Sequence, residues 1–349
     1  MNDSEPDVLR VAYMPLIDCA PLVAASRLGL DLQYGVRLQL QRQASWAAVR
    51  DRLVSGEVDA AHLLGSLVHA IELGIAGPQA PMAWLLTLNQ NGQAITLSTP
   101  LAHALQSGQA LPVALATAGR RVVFAQTFPT GTHALWLYDW LAASGVDPMR
   151  EVGLVSLPPQ SMPDALAAGD IDGYCSGEPW ADAAEARSIG LRVVRSGERW
   201  PAHPEKVLAC RRDLAALQPE RVEQLTACVL AACRWLDADP ANRATCAAWL
   251  AEEAVIGAPV DRLVACLQAS PNDPAALAFH RHGAVNFPWL SDGQWFVGQF
   301  ARWGWCQPDA VSEAHLRDIH RLETYRAAAA RIGVTAPAQD WRDVAPAAP

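Results

Sequence analysis

The stretch VRLQLQRQASWAAVRDRLVSGEVDAAHLL, residues 36–64, contains one full unit of the pattern that decides the fold. Apolar and polar residues alternate over 36–43, as they do in a strand with one buried face, and 59–64 is a second short strand. Between them, residues 46–55 have helical spacing, and Ser45 is a suitable N-cap. A strand, a helix and another strand in this order predict a βαβ unit in a mostly parallel sheet.

The same alternation continues on both sides of this stretch. Further strands of the first lobe are predicted at 8–16, 82–89 and 93–98, with the last two joined by a turn at Asn91 and Gly92. After Thr99 the chain becomes a weakly patterned segment rich in Ala, Gly and Gln, which we interpret as the crossing to a second lobe.

A second series of strands and helices begins at 120–126 and ends with a strand at 191–196. Residues 207–212 then return to the first lobe as a strand, and the chain beyond Pro219 is mostly helical. These patterns predict an α/β, bilobal, periplasmic-binding-protein-like fold of type II with a ligand cleft between the lobes. The predicted divisions are 8–98 plus 197–335 for lobe I, including its helical C-terminal part, 99–196 for lobe II, and 336–349 for a disordered tail.

Composition limits the function classes. The chain has 349 residues, of which 51% are hydrophobic and 18% charged, so it can form roughly two globular domains. Its net charge of -9 argues against direct binding to nucleic acid or an anionic membrane. No apolar run is long enough to span a membrane. The N-terminal segment MNDSEPDVLRVAYMPLIDCA is acidic and broken by Pro15, unlike a secretory signal, so we expect a cytoplasmic protein.

The eight cysteines are interpreted as buried free thiols. They show no CxxC spacing, and several lie within Ala-rich helical patterns such as LTACVLAACRWL. Small hydrophobic packing is therefore favoured over a disulfide framework or a zinc site.

Candidate binding residues follow the predicted strands. Trp46 begins the helix after the strand at 36–43, Gln93 follows Gly92, and His133 lies in the first turn of a helix, where backbone N–H groups can hold an anion. Each residue has a structural alternative, as a core anchor, a hairpin residue or a capping histidine. His62 could also face the cleft, although a core histidine is the favoured alternative.

Lys206 is the only lysine among 27 basic residues. An ammonium is a compact point charge, whereas the guanidinium of arginine is a wide planar fork. An indole, an amide, an imidazole and one ammonium, with no carboxylate expected among them, predict a receptor for a small anion. Phosphate-loop, dinucleotide-binding, nucleophile-elbow and HExxH motifs are absent from the sequence.

The chain contains, in order, ASWAAVRDRLVSGEVDAAHLL, NGQAITLS, FPTGTHALWLYDWLA, LPPQSM, YCSGEPW and HPEKVL. Together these stretches resemble the nitrate-binding proteins of the NrtA/NasS type, over about residues 8 to 330. In that family a planar anion is held between the lobes by four residues, which fall here on Trp46, Gln93, His133 and Lys206. The resemblance also places the rim of the site at Gly92, Pro159, Gln160, Ser176, Gly177 and Glu178.

A bicarbonate-binding relative in this family has an acidic residue where Lys206 stands and uses a metal beside its ligand. The resemblance therefore implies nitrate or nitrite as the ligand here, with no metal or other cofactor. With no export signal in the sequence, the chain is most similar to the cytoplasmic NasS-type sensors. The resemblance then implies that the ligand-free form sequesters an ANTAR-type, NasT-like transcription antiterminator and performs no catalysis.

Two alternatives remain at this point. The first is the solute-binding component of an ATP-driven importer for nitrate, nitrite or bicarbonate, which would need an export signal. The second is an enzyme on the same fold, of the kind found in thiamin-pyrimidine synthesis. An enzyme would need a reactive histidine or cysteine in an organised neighbourhood.

Overall fold

A computed structural model describes residues 7–268 and 273–344 of the chain. Within these residues, ten strands form two five-stranded sheets, one in each lobe. In chain order the strands are Asp7–Tyr13 (β1), Val36–Arg42 (β2), Ala60–Leu64 (β3), Met82–Thr87 (β4), Gln93–Ser98 (β5), Val123–Gln126 (β6), Gly153–Ser156 (β7), Gly173–Gly177 (β8), Gly190–Arg195 (β9) and Lys206–Arg211 (β10).

The α-helices cover both sheets and make up most of the chain after β10. They are Ala20–Arg27 (α1), Leu30–Gln33 (α2), Trp46–Ser55 (α3), Gly65–Leu73 (α4), Thr99–Gln106 (α5), Leu111–Thr117 (α6), Thr132–Ala143 (α7), Met162–Ala168 (α8), Trp180–Ala186 (α9), Ser196–Arg199 (α10), Arg212–Leu217 (α11), Pro219–Ala238 (α12), Pro240–Leu250 (α13), Val260–Leu267 (α14), Leu290–Arg302 (α15), Glu313–Ile319 (α16) and Leu322–Arg331 (α17). None of these described helices combines the length and apolar character that crossing a membrane requires.

Each sheet contains one antiparallel strand, and in both cases it is the strand that enters from the other lobe. The first sheet has the order β2-β1-β3-β10-β4, in which β10 is antiparallel to both neighbours. The second has the order β7-β6-β8-β5-β9, in which β5 is antiparallel to both neighbours. The amino end of each crossing strand therefore lies beside the carboxyl ends of the parallel strands. The predicted bilobal α/β fold is confirmed, with mixed sheets.

Helices cover both faces of the first sheet. Along β1, Leu9, Val11 and Tyr13 belong to a core cluster shared with α1, α12 and α17, whereas Ala12 and Met14 belong to a second cluster shared with α3, α4 and α15. This division follows from the two-residue repeat of a strand, which sends successive side chains to opposite faces. The C-terminal helices thus complete both outer layers of the first lobe.

The strand Gln93–Ser98 lies in the second lobe, so the predicted boundary at residue 98 is wrong. It pairs with β8 and β9 and makes no hairpin with β4. The turn itself was predicted correctly, since Asn91 and Gly92 have φ values of 63° and 91°. Local patterns identify a strand but do not identify its distant partners, because pairing is set by tertiary packing.

Two other segments also differ from the expectation. The segment after Thr99 is not a weakly patterned crossing, since it forms the helices α5 and α6. Residues 336–344 are not a disordered tail, because Asp340 forms ion pairs with arginines of α16 and α17. The remainder of the predicted tail, 345–349, lies outside the described residues, as does the acidic N-terminal segment 1–6.

Gly293 of α15 is expected to be essential for packing. A Cβ at this position would lie 2.8 Å from His69 Cε1 and 2.9 Å from Leu316 Cδ2, and closer still to His320 Nε2. We expect Gly293→Ala to lower the free energy of unfolding by roughly 1–3 kcal/mol, the usual effect of overpacking. Denaturant unfolding monitored by circular dichroism measures this change.

Gly298 of the same helix provides the matched control. A Cβ there would meet no atom within 4 Å. Gly298→Ala should raise the free energy of unfolding by about 0.5–1 kcal/mol, because alanine is the better helix former. Equal stabilities for the two variants would show that the core around the first glycine adapts without strain.

Candidate functional site

The candidate site residues come from chain segments that meet at the facing edges of the two sheets. Asp18 follows β1, Trp46 begins α3 after β2, and His133 lies in the first turn of α7 after β6. Lys206 and Gln93 are the first residues of the antiparallel strands β10 and β5. Each of these side chains belongs to a residue that is 2% exposed or less. The strand ends therefore assemble a buried polar group between the lobes.

Lys206 is the charged centre of this group. Its Nζ donates to Glu205 Oε1 at 2.8 Å and lies 2.9 Å from Asp18 Oδ2. It also lies 5.6 Å from the ring centre of Trp46, within the range of a cation–π interaction. The backbone N–H of Lys206 donates to Asn89 Oδ1 at 3.2 Å, which positions the start of β10. Two carboxylates and an indole thus hold the ammonium.

His62, on β3, supports Asp18. His62 Nδ1 accepts a hydrogen bond from the backbone N–H of Met14 at 3.3 Å, so the neutral ring carries its proton on Nε2. That nitrogen lies 2.9 Å from Asp18 Oδ1. The ring centre is also 5.5 Å from that of Trp46. His62 is fully buried, as expected of a core histidine, and it also adjoins the charged centre.

Glu205 connects the charged centre to the start of α7. Thr132 Oγ1 donates to Glu205 Oε1 at 2.5 Å, and Trp136 Nε1 donates to Oε2 at 3.1 Å. His133 Nδ1 shares a hydrogen bond of 2.7 Å with Thr127 Oγ1, while its Nε2 lies 3.7 Å from Glu205 Oε1. The predicted place of His133 in the first helical turn is confirmed.

Three of the four candidate ligand-binding residues carry buried polar atoms without a partner in the described part of the protein. These atoms are Trp46 Nε1, His133 Nε2 and both amide atoms of the Gln93 side chain. Buried polar atoms in folded proteins nearly always have a hydrogen-bond partner. Acceptor oxygens of a small ligand would suit the indole and amide N–H groups, and also the imidazole in the tautomer that carries its proton on Nε2.

Gln93 joins the group indirectly. Its backbone pairs with Gly177 across strands β5 and β8. A Cβ on Gly177 would lie 3.4 Å from Asp18 Oδ2, so this glycine adjoins the charged centre. A cavity of about 240 Å³ also opens beside Gln93, lined in part by Glu178 and Arg192. Gln93 therefore lies between the charged centre and an opening at the side of the cleft.

The rim residues Gly92, Ser176, Gly177 and Glu178 lie where the second lobe touches the first. The backbone N–H of Ile17 donates to Glu178 O at 3.1 Å, and that of Glu178 donates to Gly92 O at 3.4 Å. Ser176 is fully buried, and its hydroxyl donates to Gly177 O at 3.3 Å. This part of the rim holds the lobes together through backbone contacts.

Pro159 and Gln160 lie on a short 3-10 turn before α8. Gln160 Nε2 donates to Ala44 O at 3.0 Å and so joins the second lobe to the start of α3. There, Ser45 Oγ accepts from the backbone N–H of Ala48 at 3.2 Å, which confirms the predicted N-cap. Gln160 therefore contacts the loop that precedes Trp46.

Two further ion pairs lie near the Glu178 part of the rim. Arg262 of α14 lies 3.1 Å from Asp182 of α9, and Arg195 at the end of β9 lies 2.6 Å from Asp273. Together with the rim contacts, they enclose the buried centre. Contacts of this kind between two lobes are the ones that break and form in hinge-bending receptors.

Burial and nearby charges shift the titration of these groups. Burial by itself raises the pKa of Asp18, but Lys206 and His62 lower it well below its usual value. Burial raises the pKa of Glu205 and outweighs the opposing effect of Lys206. Burial lowers the pKa of Lys206, but the two carboxylates raise it above its ordinary value. Burial, followed by repulsion from Lys206, lowers the pKa of His133 well below its ordinary value, so this ring is neutral.

The expectation that no carboxylate belongs to the group is wrong, because Asp18 and Glu205 both contact Lys206. Position beside a strand end, which indicates the other candidate residues, also indicates these two. Asp18 lies in the short turn after the first strand, and Glu205 is the sequence neighbour of Lys206. Across residues 7–268 and 273–344, no three His, Cys, Asp or Glu side chains are arranged to hold a metal ion. The lysine ammonium occupies the position between the two carboxylates.

Comparison with known proteins gives consistent matches. A model of the NMT1-like family matches residues 2–251. The chain is 32% identical to the nitrate/nitrite binding protein NrtA of Synechococcus elongatus, over 96% of this chain and 80% of that protein. It is 28% identical to the bicarbonate-binding protein CmpA of the same species, with the same coverage of both chains.

A solved structure shares the bilobal fold. The periplasmic nitrate-binding protein NrtA from Synechocystis PCC 6803 superposes with a TM-score of 0.89 at 27% sequence identity. The superposition covers 97% of this chain and 93% of the crystallised one. The similarity therefore includes both lobes and the cleft between them.

Proposed function

The chain belongs to the NMT1-like family, and from this premise we propose that it binds nitrate or nitrite between its lobes. The observation that carries the proposal is the set of unpartnered buried atoms on Trp46 and His133 beside the Lys206 centre, together with those of Gln93 on the adjoining strand β5. A small planar anion offers one negative charge and several acceptor oxygens. Two relatives are named nitrate/nitrite binding protein NrtA, and this supports the choice of ligand.

We further propose that the chain is a cytoplasmic sensor and not an enzyme. All eight cysteines are free thiols, which is typical of a reducing compartment. We infer that the lobes open and close about the cleft, and a partner can then distinguish the two forms. In this proposal the ligand-free form sequesters an ANTAR-type antiterminator, and the anion releases it by stabilising the closed form.

Co-purification of the chain with that antiterminator tests the sensor proposal. The two proteins should elute together without ligand and separate in millimolar nitrate. Because binding linkage is reciprocal, saturating partner should weaken nitrate binding by the same factor by which nitrate weakens the complex, commonly about 5- to 150-fold. Lys206→Ala is the control, since it should hold the partner in the presence or absence of nitrate. A complex that persists unchanged in saturating nitrate would rule out release.

The second candidate is the solute-binding component of an importer. It is favoured by the relatives, because the matching crystal structure is of a periplasmic nitrate-binding protein. The chain also matches the bicarbonate transport ATP-binding protein CmpC at 34% identity, over 85% of this chain and 45% of CmpC. Failure of the chain and the antiterminator to form any complex, with nitrate binding intact, would favour this candidate.

The enzyme alternative receives less support from the cleft. Cys175, on β8, is influenced by the charges of Glu205 and Lys206. Burial raises the pKa of its thiol well above the ordinary value. A thiol in this state is a poor nucleophile. The neutral, buried His133 likewise has Thr127 as its only hydrogen-bond partner within the described residues.

A further inference from the structure

The buried centre contains more carboxylates than ammonium groups. Lys206 contacts both Asp18 and Glu205, and all three residues are 2% exposed or less. If both acids are ionised, the centre carries one net negative charge before any ligand arrives. A monovalent anion would add a second negative charge to the enclosed site, which is costly without compensation.

The groups that face Glu205 from the surrounding elements offer little compensation. His133 of α7 lies 3.7 Å from its carboxylate and His203 lies 3.9 Å from it. Burial lowers the pKa of both rings, that of His203 to about 3, so both are neutral. The Cys175 thiol on β8 is neutral as well, because burial raises its pKa. Lys206 is therefore the cation that faces this carboxylate.

Asp18 is poorly arranged to accept a proton. Its two oxygens face donors, the Lys206 ammonium at 2.9 Å and the Nε2 of His62 at 2.9 Å. The His62 ring carries its proton on that nitrogen, because its Nδ1 accepts from the backbone N–H of Met14. Burial raises the pKa of Asp18, but Lys206 and His62 together hold this pKa well below its usual value, so this carboxyl stays ionised.

Glu205 is better arranged than Asp18 to accept a proton. Its Oε1 lies 2.5 Å from the hydroxyl of Thr132, which can donate to an ionised carboxylate or accept from a protonated one. Its Oε2 keeps the hydrogen bond from Trp136 Nε1 in either state. Loss of the charge on Glu205 would also free part of the Lys206 ammonium for a ligand, because the two groups are in contact at 2.8 Å.

We propose that the cleft binds its anion together with one proton taken from solvent, and that Glu205 carries this proton. The inference rests on the proposed function, because it concerns the same anion in the same cleft. The proton adds to the carboxylate oxygen, and no bond of the anion is broken. Glu205 is thus a positioning residue that sets the charge of the site and the availability of Lys206.

The sign of the pH effect follows from this coupling. Binding of the anion raises the pKa of Glu205 further, because a second negative charge favours the protonated form. Affinity is therefore full below the pKa of Glu205 in the free protein and falls as the pH rises through it. In the falling range, Kd should increase about tenfold per pH unit, as expected for one coupled proton.

Calorimetric titration of nitrate tests the proposal on the unmodified protein, between about pH 6 and pH 9.5. At each pH the titration is repeated in two buffers with different ionisation enthalpies, so the difference in heat gives the number of protons taken up. Nitrate is fully ionised throughout, so any proton uptake belongs to the protein. We expect about one proton per nitrate wherever Kd rises with pH.

Glu205→Gln identifies the group that carries the proton. The amide cannot ionise, so this variant should take up no proton and should bind nitrate more tightly than the unmodified protein at the alkaline end. Glu72→Gln is the matched control, since Glu72 is also buried and charge-paired, but with Arg212 and His315. The control should keep the proton uptake.

Each outcome decides the question. Nitrate binding with neither proton uptake nor pH dependence would overturn the proposal and leave the proposed function standing. Proton uptake that persists in Glu205→Gln would assign the proton to another group and also overturn it. Absence of nitrate binding at every pH would overturn the proposed function together with this inference. If the variant does not fold, the proton count of the unmodified protein still decides whether a proton is coupled.

Discussion

Lys206→Ala is expected to raise the Kd for nitrate by more than about a hundredfold, since breaking a buried charge pair costs roughly 3–5 kcal/mol. The ammonium is the cation in contact with both carboxylates of the centre. Without it, an incoming anion would meet Asp18 with no counter-charge. Calorimetric titration measures the change in Kd, and circular dichroism establishes that the variant is folded.

The same substitution should also lower the thermal midpoint of unfolding, because Asp18 would lose its ammonium partner inside the protein. Lys206→Arg keeps the charge but places a wide fork in the space of a compact group, so it should bind nitrate weakly as well. Unmodified affinity in the arginine variant would show that charge alone is sufficient. Unmodified affinity in the alanine variant would make the lysine purely structural.

Trp46→Ala is expected to lower the free energy of unfolding by roughly 3–5 kcal/mol, the usual effect of truncating a buried aromatic side chain. Trp46 is fully buried against the first sheet. Trp46→Phe separates packing from binding, because it keeps most of the ring volume and removes the unpartnered Nε1–H. We expect this variant to lose about 1–3 kcal/mol of nitrate binding, the effect of leaving a polar ligand atom unpaired.

Trp84→Phe is the matched control for Trp46→Phe. Trp84 belongs to the same hydrophobic cluster and is also fully buried with an unpartnered Nε1, but its ring stacks on His320, whereas that of Trp46 faces Lys206. Nitrate affinity should be unchanged in this control. The free energy of unfolding, measured with denaturant, should fall by a comparable amount in both phenylalanine variants. Equal nitrate affinities in the two variants would remove the Trp46 indole from the binding site.

Much of the fold follows from local patterns. The strand at 36–43 and the helix after it have strong periodicity, and the structure has them within one residue of the predicted bounds. The return strand β10 is also found in the first sheet. The strand at 93–98 was assigned to the wrong lobe, because its partners β8 and β9 are about eighty residues or more away and the sequence pattern gives no information on them.

The candidate site was predicted less completely than the fold. The resemblance to nitrate-binding proteins of the NrtA type is confirmed by the comparisons. Trp46, His133 and Lys206 are brought together around Asp18 and Glu205, whereas Gln93 joins through Gly177. The two carboxylates could not be predicted from the chemistry of an anion site, because they repel an anion. A buried ammonium needs counter-charges before its ligand arrives, and that requirement becomes visible only when burial is known.

One titration tests the central claim most directly. Nitrate, nitrite, bicarbonate and sulfate are each titrated into the purified protein by calorimetry at one slightly alkaline pH, where nitrate and bicarbonate are both mainly monovalent anions. The account predicts binding of nitrate or nitrite at one site per chain, and weak or no binding of bicarbonate and of the divalent sulfate. Absence of heat with both nitrate and nitrite, or tighter binding of bicarbonate or sulfate, would contradict it.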